Sequence, residues 1–403
     1  MRRLHRNRFS TGFTLIEVLM VIAIIAVLMG LSLKVMFGLT SQAQEQATIV
    51  TVRKVDALLQ QKLEAFDRAY QGTRARAAEN AVVGILASQN IFGVRESVVK
   101  LLAKKAAVRT AFPQRMAELL AVPGETQIAV PGMADSFFKA VAEPGARTQQ
   151  AQQGLPTDDA SVLTRAQQNW QVRHRPETES AELLYYCLVV GDSFGSSSVD
   201  SDRFTEREVA DTDGDGLPEF IDAWGNPLRF YRWPTRLIDI DAPSPFAPVL
   251  INPNDPTDVR VVIGDERQIA NIMFRGLSPA PISMPDGSAA RDMLLIDPDD
   301  PVGLLYSELE RLNGDPLFAA EFNEAKYHTP ETYHTPLIVS GGPDGMTGIR
   351  EPNDTLLTAG AEHFGNLAQL EGTSVASPAP SAAVLEKLQD NITNRNRRAG
   401  ARR

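Results

Sequence analysis

Five carboxylates and a glycine fall at regular spacing in Asp211-Thr212-Asp213-Gly214-Asp215-Gly216-Leu217-Pro218-Glu219-Phe220-Ile221-Asp222. Counting from Asp211, the acids take the first, third, fifth, ninth and twelfth places, Gly216 the sixth, and the Leu217 carbonyl the seventh. Alternating aspartates turn their oxygens toward one point, and the glycine permits the sharp turn that lets them do so. A hard, oxygen-seeking ion of calcium's size is the natural occupant. Asp211, Asp213, Asp215, Leu217, Glu219 and Asp222 are therefore candidate ligands of a structural calcium. The plain alternative is an acidic solvated turn.

The spacing is similar to that of an EF-hand loop, from which it departs in three ways. Asp222 stands where the bidentate glutamate is usual, which shortens its reach. Pro218 has no N–H with which to pair a second loop. Trp224-Gly225-Asn226-Pro227 follows directly, so no helix can continue. A lone structural loop is expected, not a calcium sensor.

Gly372-Thr373-Ser374-Val375-Ala376-Ser377-Pro378 is similar to the serine signature of subtilisin-like proteases. Such chemistry needs a base and an orienting acid around the serine. Those families bring Asp-Ser/Thr-Gly and His-Gly segments, and neither occurs here. His5, His174, His328, His334 and His363 lack that context, and no enzymatic activity is expected. His328 and His334, six residues apart in a Pro/Thr loop, read as surface residues.

The chain's start carries a different chemistry. Arg2, Arg3, Arg6 and Arg8 form a basic leader without acids, which the positive-inside rule keeps cytoplasmic. An apolar run follows, uncharged from Val18 to Leu33, and with its flanks it is long enough to cross a bilayer as a helix. Lys34 is placed to snorkel toward the far headgroups. Glu17 breaks the run. A carboxylate there costs roughly 2.5–3.5 kcal/mol on insertion scales and requires a partner. An ordinary signal peptide or anchor, cut near Ser41-Gln42-Ala43, is the simple alternative, but it has no reason to carry that glutamate.

Gly12-Phe13-Thr14-Leu15-Ile16-Glu17-Val18 resembles the cleavage and methylation motif of type IV prepilins and of the pseudopilins of type II secretion. The resemblance implies cleavage between Gly12 and Phe13, methylation of the new amine of Phe13, and Glu17 as counter-charge to the terminal amine of a neighbouring subunit. Two head segments extend it. Asp222-Ala223-Trp224-Gly225-Asn226-Pro227 resembles the Asp-Pro-Trp-Gly-Asn-Pro turn of major pseudopilins, which enters the first strand of a small antiparallel sheet. Leu337-Ile338-Val339-Ser340-Gly341-Gly342-Pro343-Asp344-Gly345 is similar to that family's strand and calcium-binding loop. By this resemblance the carbonyls of Val339 and Ser340, with Asp344 and Glu351 or Asp354, form a possible second metal site. A Gly-Pro-Asp-Gly turn needs no metal, however.

The positioning elements follow from periodicity. Gln42 to Tyr70 lacks Gly and Pro, and Val52, Val55, Leu59, Leu63, Phe66 and Tyr70 recur at helical steps. Phe13 to Tyr70 reads as one helix of roughly 85 Å at 1.5 Å per residue. The expected fold is α+β: a long N-terminal helix, membrane-spanning in its first half, packed on a small antiparallel sheet with large helical and loop insertions. Residues 1–12 are the leader, 13–39 the transmembrane half, 40–70 the periplasmic half, and 71–180 a helical and loop insertion. Residues 181–360 form a pseudopilin-like head with the calcium loop, and 361–403 a tail. Lys100, Lys104, Lys105, Arg109 and Arg115 read as a solvated helix face. Ala181–Val190 is a buried helix or strand, while Leu228–Trp233 and Pro336–Ser340 are strands. The stretch 235–335 is an insertion containing the apolar run Val259–Ile263, and the tail after Gly372 frays.

The net charge of −10, which falls to −14 without the four leader arginines, disfavours nucleic acid. Cys187 is the only cysteine, so no internal disulfide forms. The expected function is a structural subunit inserted in the bacterial inner membrane with its head periplasmic. Its partners would be prepilin peptidase, other pseudopilin subunits and a secretion or pilus assembly platform. The alternative is a membrane-anchored, calcium-stabilised binding protein that uses the pilin start for sorting.

Overall fold

The computed structural model describes residues 15–88, 90–118, 150–158, 161–162, 164–165, 168, 172–190, 203–234, 281–282, 291–292, 299, 304, 308, 336–356, 363–373 and 381–395. The chain divides into two units, Met1–Gln46 and Ala47–Arg403. Helix α1 runs Leu15–Ala69. In the first unit its apolar side chains from Leu15 to Met29, including Leu19, Ile22, Ile25 and Leu28, are exposed. The side chains of Glu17 and of 30–39 lie outside the described residues, as do Gly12 and Phe13. Among the described residues no helix is long and apolar enough to cross a membrane.

In the second unit α1 presents the stripe read from its sequence. Val52, Val55, Leu58, Leu59 and Phe66 are buried in one core with Phe112, Leu184, Leu188, Phe220, Leu228, Phe230 and Ile338. At about 25 cal/mol per Å² of buried apolar surface, such a face supplies most of the helix's stability. The core is floored by a three-stranded antiparallel sheet. Strand β3 (Arg229–Tyr231) pairs with β6 (Leu337–Ser340), and β6 with β9 (Ile392–Thr393). Arg229 lies opposite Val339, and Val339 opposite Thr393. Long helix on small antiparallel sheet is thus the observed arrangement.

Helices α2 (Thr73–Ser88) and α3 (Glu96–Ala111) have a core of their own, built from Val82, Leu86, Ile91, Val98, Leu102 and Ala106. The basic run on α3 departs from the solvated face expected. Lys105, Arg109 and Arg115 are buried. For the two arginines the cause is an acid: Glu118 sits among Arg109, Arg115 and Arg232, with Arg232 Nη2 at 2.8 Å from its Oε1. Lys104 turns to Asp299 at 2.7 Å, and only Lys100 stays on the surface, beside Glu96.

Helix α4 (Pro176–Tyr185) starts on a proline and widens to a π turn over Tyr186–Val190, so Ala181–Val190 is a buried helical segment. Short antiparallel pairs complete the described structure: β1 (Val209–Ala210) with β2 (Glu219–Phe220), β4 (Pro281–Ile282) with β5 (Arg291–Asp292), and β7 (Thr355–Leu356) with β8 (His363–Phe364). The tail does not fray over 381–395. Ser381 caps helix α5 (Ala382–Leu388) by accepting from the Val384 N–H, and β9 closes the main sheet. Asn394 secures that strand, accepting from the Ile338 N–H and donating to Asp56 on α1 at 2.7 Å. Val259–Ile263, His328, His334, Ser374 and the last arginines lie outside the described residues.

Candidate functional site

The two head motifs, about 110 residues apart in sequence, meet in space. Asp222 Oδ1 accepts from the backbone N–H groups of Trp224 and Asn226, both at 2.9 Å, which folds the Trp-Gly-Asn-Pro turn onto itself. Gly225 takes φ 91° there, a left-handed conformation that suits glycine. Asp222 Oδ2 accepts from the Ser340 hydroxyl at 2.7 Å, and Asn226 Nδ2 donates to the Gly342 carbonyl at 3.0 Å. At Gly345 an added Cβ would stand 2.9 Å from Asn226 Oδ1, so the two turns are in tight contact. Asp222 is a bracket between turns in this structure, and its carboxylate is not turned into the acidic loop.

The second set of candidate ligands is engaged with neighbouring groups. Val339 pairs with β3 and β9 within the sheet. Asp344 Oδ1 accepts from the Met346 N–H, Glu351 binds the Arg229 guanidinium at 2.9 Å, and Asp354 binds Arg350 and His363. Each of these acids thus has a cation or an N–H as its partner in this structure. Pro176, Arg350, Glu351, Asn353, Asp354 and Glu371 line a shallow cleft at this place.

The acidic loop is pulled in two directions. Asp211 accepts from the N–H groups of Gly214 and Gly216, and Asp215 Oδ1 from that of Leu217, so both hold the turn. Glu219 folds back on the Thr212 hydroxyl and N–H. Asp213 reaches the start of α4, where Oδ2 accepts from the Arg175 N–H at 3.0 Å and from Thr178 Oγ1 at 2.9 Å. That contact brings in His174 and Glu182, which the sequence did not place at the loop. His174, Glu182, Asp213 and Asp215 each place one ligand atom within 4.8 Å of all the others. Among the described residues this is the group of His, Cys, Asp and Glu side chains near enough to share an ion.

The electrostatics of the group are unbalanced. His174 Nε2 lies 3.2 Å from Glu179 Oε2, while Nδ1 stands 3.7 Å from both Glu182 Oε1 and Asp215 Oδ2. Burial alone lowers the pKa of His174, but contacts with Asp215, Glu179 and Glu182 outweigh it and lift the imidazole to about 11. Burial raises Glu182 and Asp215, and with the charges of Glu182 and Asp213 it takes Glu219 to about 8. Both shifts are upward yet favour different forms, a charged imidazole and a neutral carboxyl, because one imidazolium cannot neutralise several buried carboxylates. The guanidinium groups of Arg173 and Arg175 donate to the Gly214 and Thr212 carbonyls of the loop. His174 was hard to find from sequence. It lies 39 residues before Asp213 and becomes a neighbour only because α4 docks on the loop.

A family model, the prokaryotic N-terminal methylation motif, matches residues 7–33. No curated protein and no solved structure matches the chain. The matched segment takes in the Gly12–Phe13 junction, Glu17 and the first turns of α1, whose apolar side chains are exposed. The chain thus carries, at its N-terminus, the signature of type IV pilins and pseudopilins.

Proposed function

We propose that the protein is a structural pseudopilin-like subunit rather than an enzyme. Prepilin peptidase removes residues 1–12 and methylates Phe13. The mature chain stands in the bacterial inner membrane by the first half of α1, with its head on the periplasmic side, and joins other pilin-like subunits in a type II secretion pseudopilus or a related filament. Its work is mechanical. The observation that carries this reading is the methylation motif over residues 7–33 at the head of a helix whose apolar side chains from Leu15 to Met29 face solvent. Exposed apolar surface on that scale needs lipid or neighbouring helices. Within lipid Glu17 requires a positive partner, and the freed amine of Phe13 on an adjacent subunit supplies one.

Mass spectrometry of the protein purified from its own membranes is the test. The mature chain should begin at Phe13 with one added methyl group. Cross-links between Glu17-region helices should appear and should be lost in Glu17→Ala. A chain beginning at Met1, or cut near Ala43, would refute the reading. A correctly processed chain that stays monomeric would refute the filament and favour an anchored binding protein.

A further inference from the structure

We propose that His174, Glu182, Asp213 and Asp215 hold a first-row transition dication, of the zinc or manganese kind, in place of the calcium expected of the loop. Asp222, the twelfth position of a calcium loop, is engaged with Ser340 and the Asn226 turn. An imidazole stands beside Asp213 and Asp215 instead. Calcium takes oxygen ligands almost exclusively, whereas imidazole with carboxylates suits zinc, manganese or iron.

Acids in a cluster make no site by themselves. Here Glu182 supplies the independent sign. Its side chain is fully buried on α4, and neither carboxylate oxygen has a hydrogen-bond donor among the described residues. Asp215 Oδ2 is in the same condition, and both carboxylates point at the same place, 3.7 Å from His174 Nδ1. Leaving a carboxylate buried this way is costly unless a cation satisfies it.

The surroundings of His174 complete the arrangement. Glu179 accepts the Nε2 proton, and Glu179 is itself fixed by the Met116 N–H and by Asn353 Nδ2. A carboxylate cannot donate, so Nε2 keeps its proton and the Nδ1 lone pair faces Glu182 and Asp215 once the ring is neutral. A carboxylate behind a ligating histidine orients the ring and raises its basicity. Ligand atoms about 2.1 Å from a tetrahedral ion lie about 3.4 Å apart, so the present span of up to 4.8 Å closes with movements of about 1 Å. Binding would clamp the start of α4 to the acidic loop.

The test uses the full chain in detergent, stripped with a chelator. Cobalt(II), which reports imidazole and carboxylate ligands by its visible absorption, should bind with one equivalent, and zinc or manganese should displace it and raise the melting temperature. Glu182→Gln should abolish both responses while leaving the melting temperature of the stripped protein unchanged or higher. Glu179→Gln, which acts only through the ring, should weaken cobalt binding by about 10–100-fold. The proposal is overturned if cobalt, zinc and manganese leave the wild type unchanged, if calcium alone stabilises it, or if Glu182→Gln keeps the full response. A drop in the stripped protein's melting temperature on Glu182→Gln would also overturn it, because that outcome makes Glu182 a mere counter-ion of His174.

Discussion

Replacing Glu118 by Gln removes an anion that three guanidinium groups share. Arg232 donates Nη1 and Nη2 to its two oxygens at 2.9 and 2.8 Å, and the Nε atoms of Arg115 and Arg109 stand 3.8 and 3.9 Å away. All four side chains are buried. Burial alone raises the carboxyl's pKa, but the charges of Arg232, Arg115 and Arg109 and the Arg232 hydrogen bonds outweigh it and hold the group at about 2. Arg232 is itself drawn below its ordinary value by burial and by the other arginines, yet a guanidinium stays charged at any working pH. The gap from an ordinary carboxyl converts to roughly 3 kcal/mol, and removing one partner of a buried pair costs about 3–5 kcal/mol. Glu118→Gln should therefore lower the melting temperature of the 47–403 unit by about 4–7 °C in differential scanning calorimetry at pH 7. The sign with pH follows from a depressed acid: the stabilisation is full above the ordinary carboxyl value and fades as pH falls toward about 2. The difference between wild type and variant should be constant above about pH 5 and shrink below about pH 4. A variant melting within about 1 °C of wild type at pH 7, which on the same scale is less than about 1 kcal/mol, would refute the account of α3's buried cations.

Two further outcomes follow from the head. Asn394→Ala, just after β9, leaves the Ile338 N–H without its side-chain acceptor and removes one donor from Asp56, and should cost about 1–3 kcal/mol in denaturant unfolding. Cys187 is buried, and burial pushes its thiol up to about 12, so an alkylating reagent at pH 8 should leave the native protein unmodified and label it fully in denaturant.

The long helix was legible because a single apolar stripe on α1, from Val52 to Phe66, is a local pattern that needs no knowledge of its partner. The turn at Trp224–Pro227 and the strand at Leu337–Ser340 were legible for the same reason. Turn chemistry and short apolar runs are written in neighbouring residues. Contacts between distant residues were not. The arginines on or after α3 looked like a surface because the acid among them, Glu118, and Arg232, just beyond β3, come later in the chain. The Ser/Ala/Pro-rich tail looked loose because β9 is only two residues long and draws its order from β6. The acidic loop gave its aspartates away by spacing, but Asp222's attachment to Ser340 and the approach of His174 and Glu182 depend on how α4 docks.

The tie between Asp56 and Asn394 spans 338 residues of chain. Closing a loop of that length costs about 5 kcal/mol of entropy before any contact returns it. The seam where β9 meets α1 cannot nucleate assembly and must zip up late, after the intervening elements have shortened the path. Until then β6 offers a bare edge to any passing strand, which makes the interval before closure the moment when sister chains are most prone to clump.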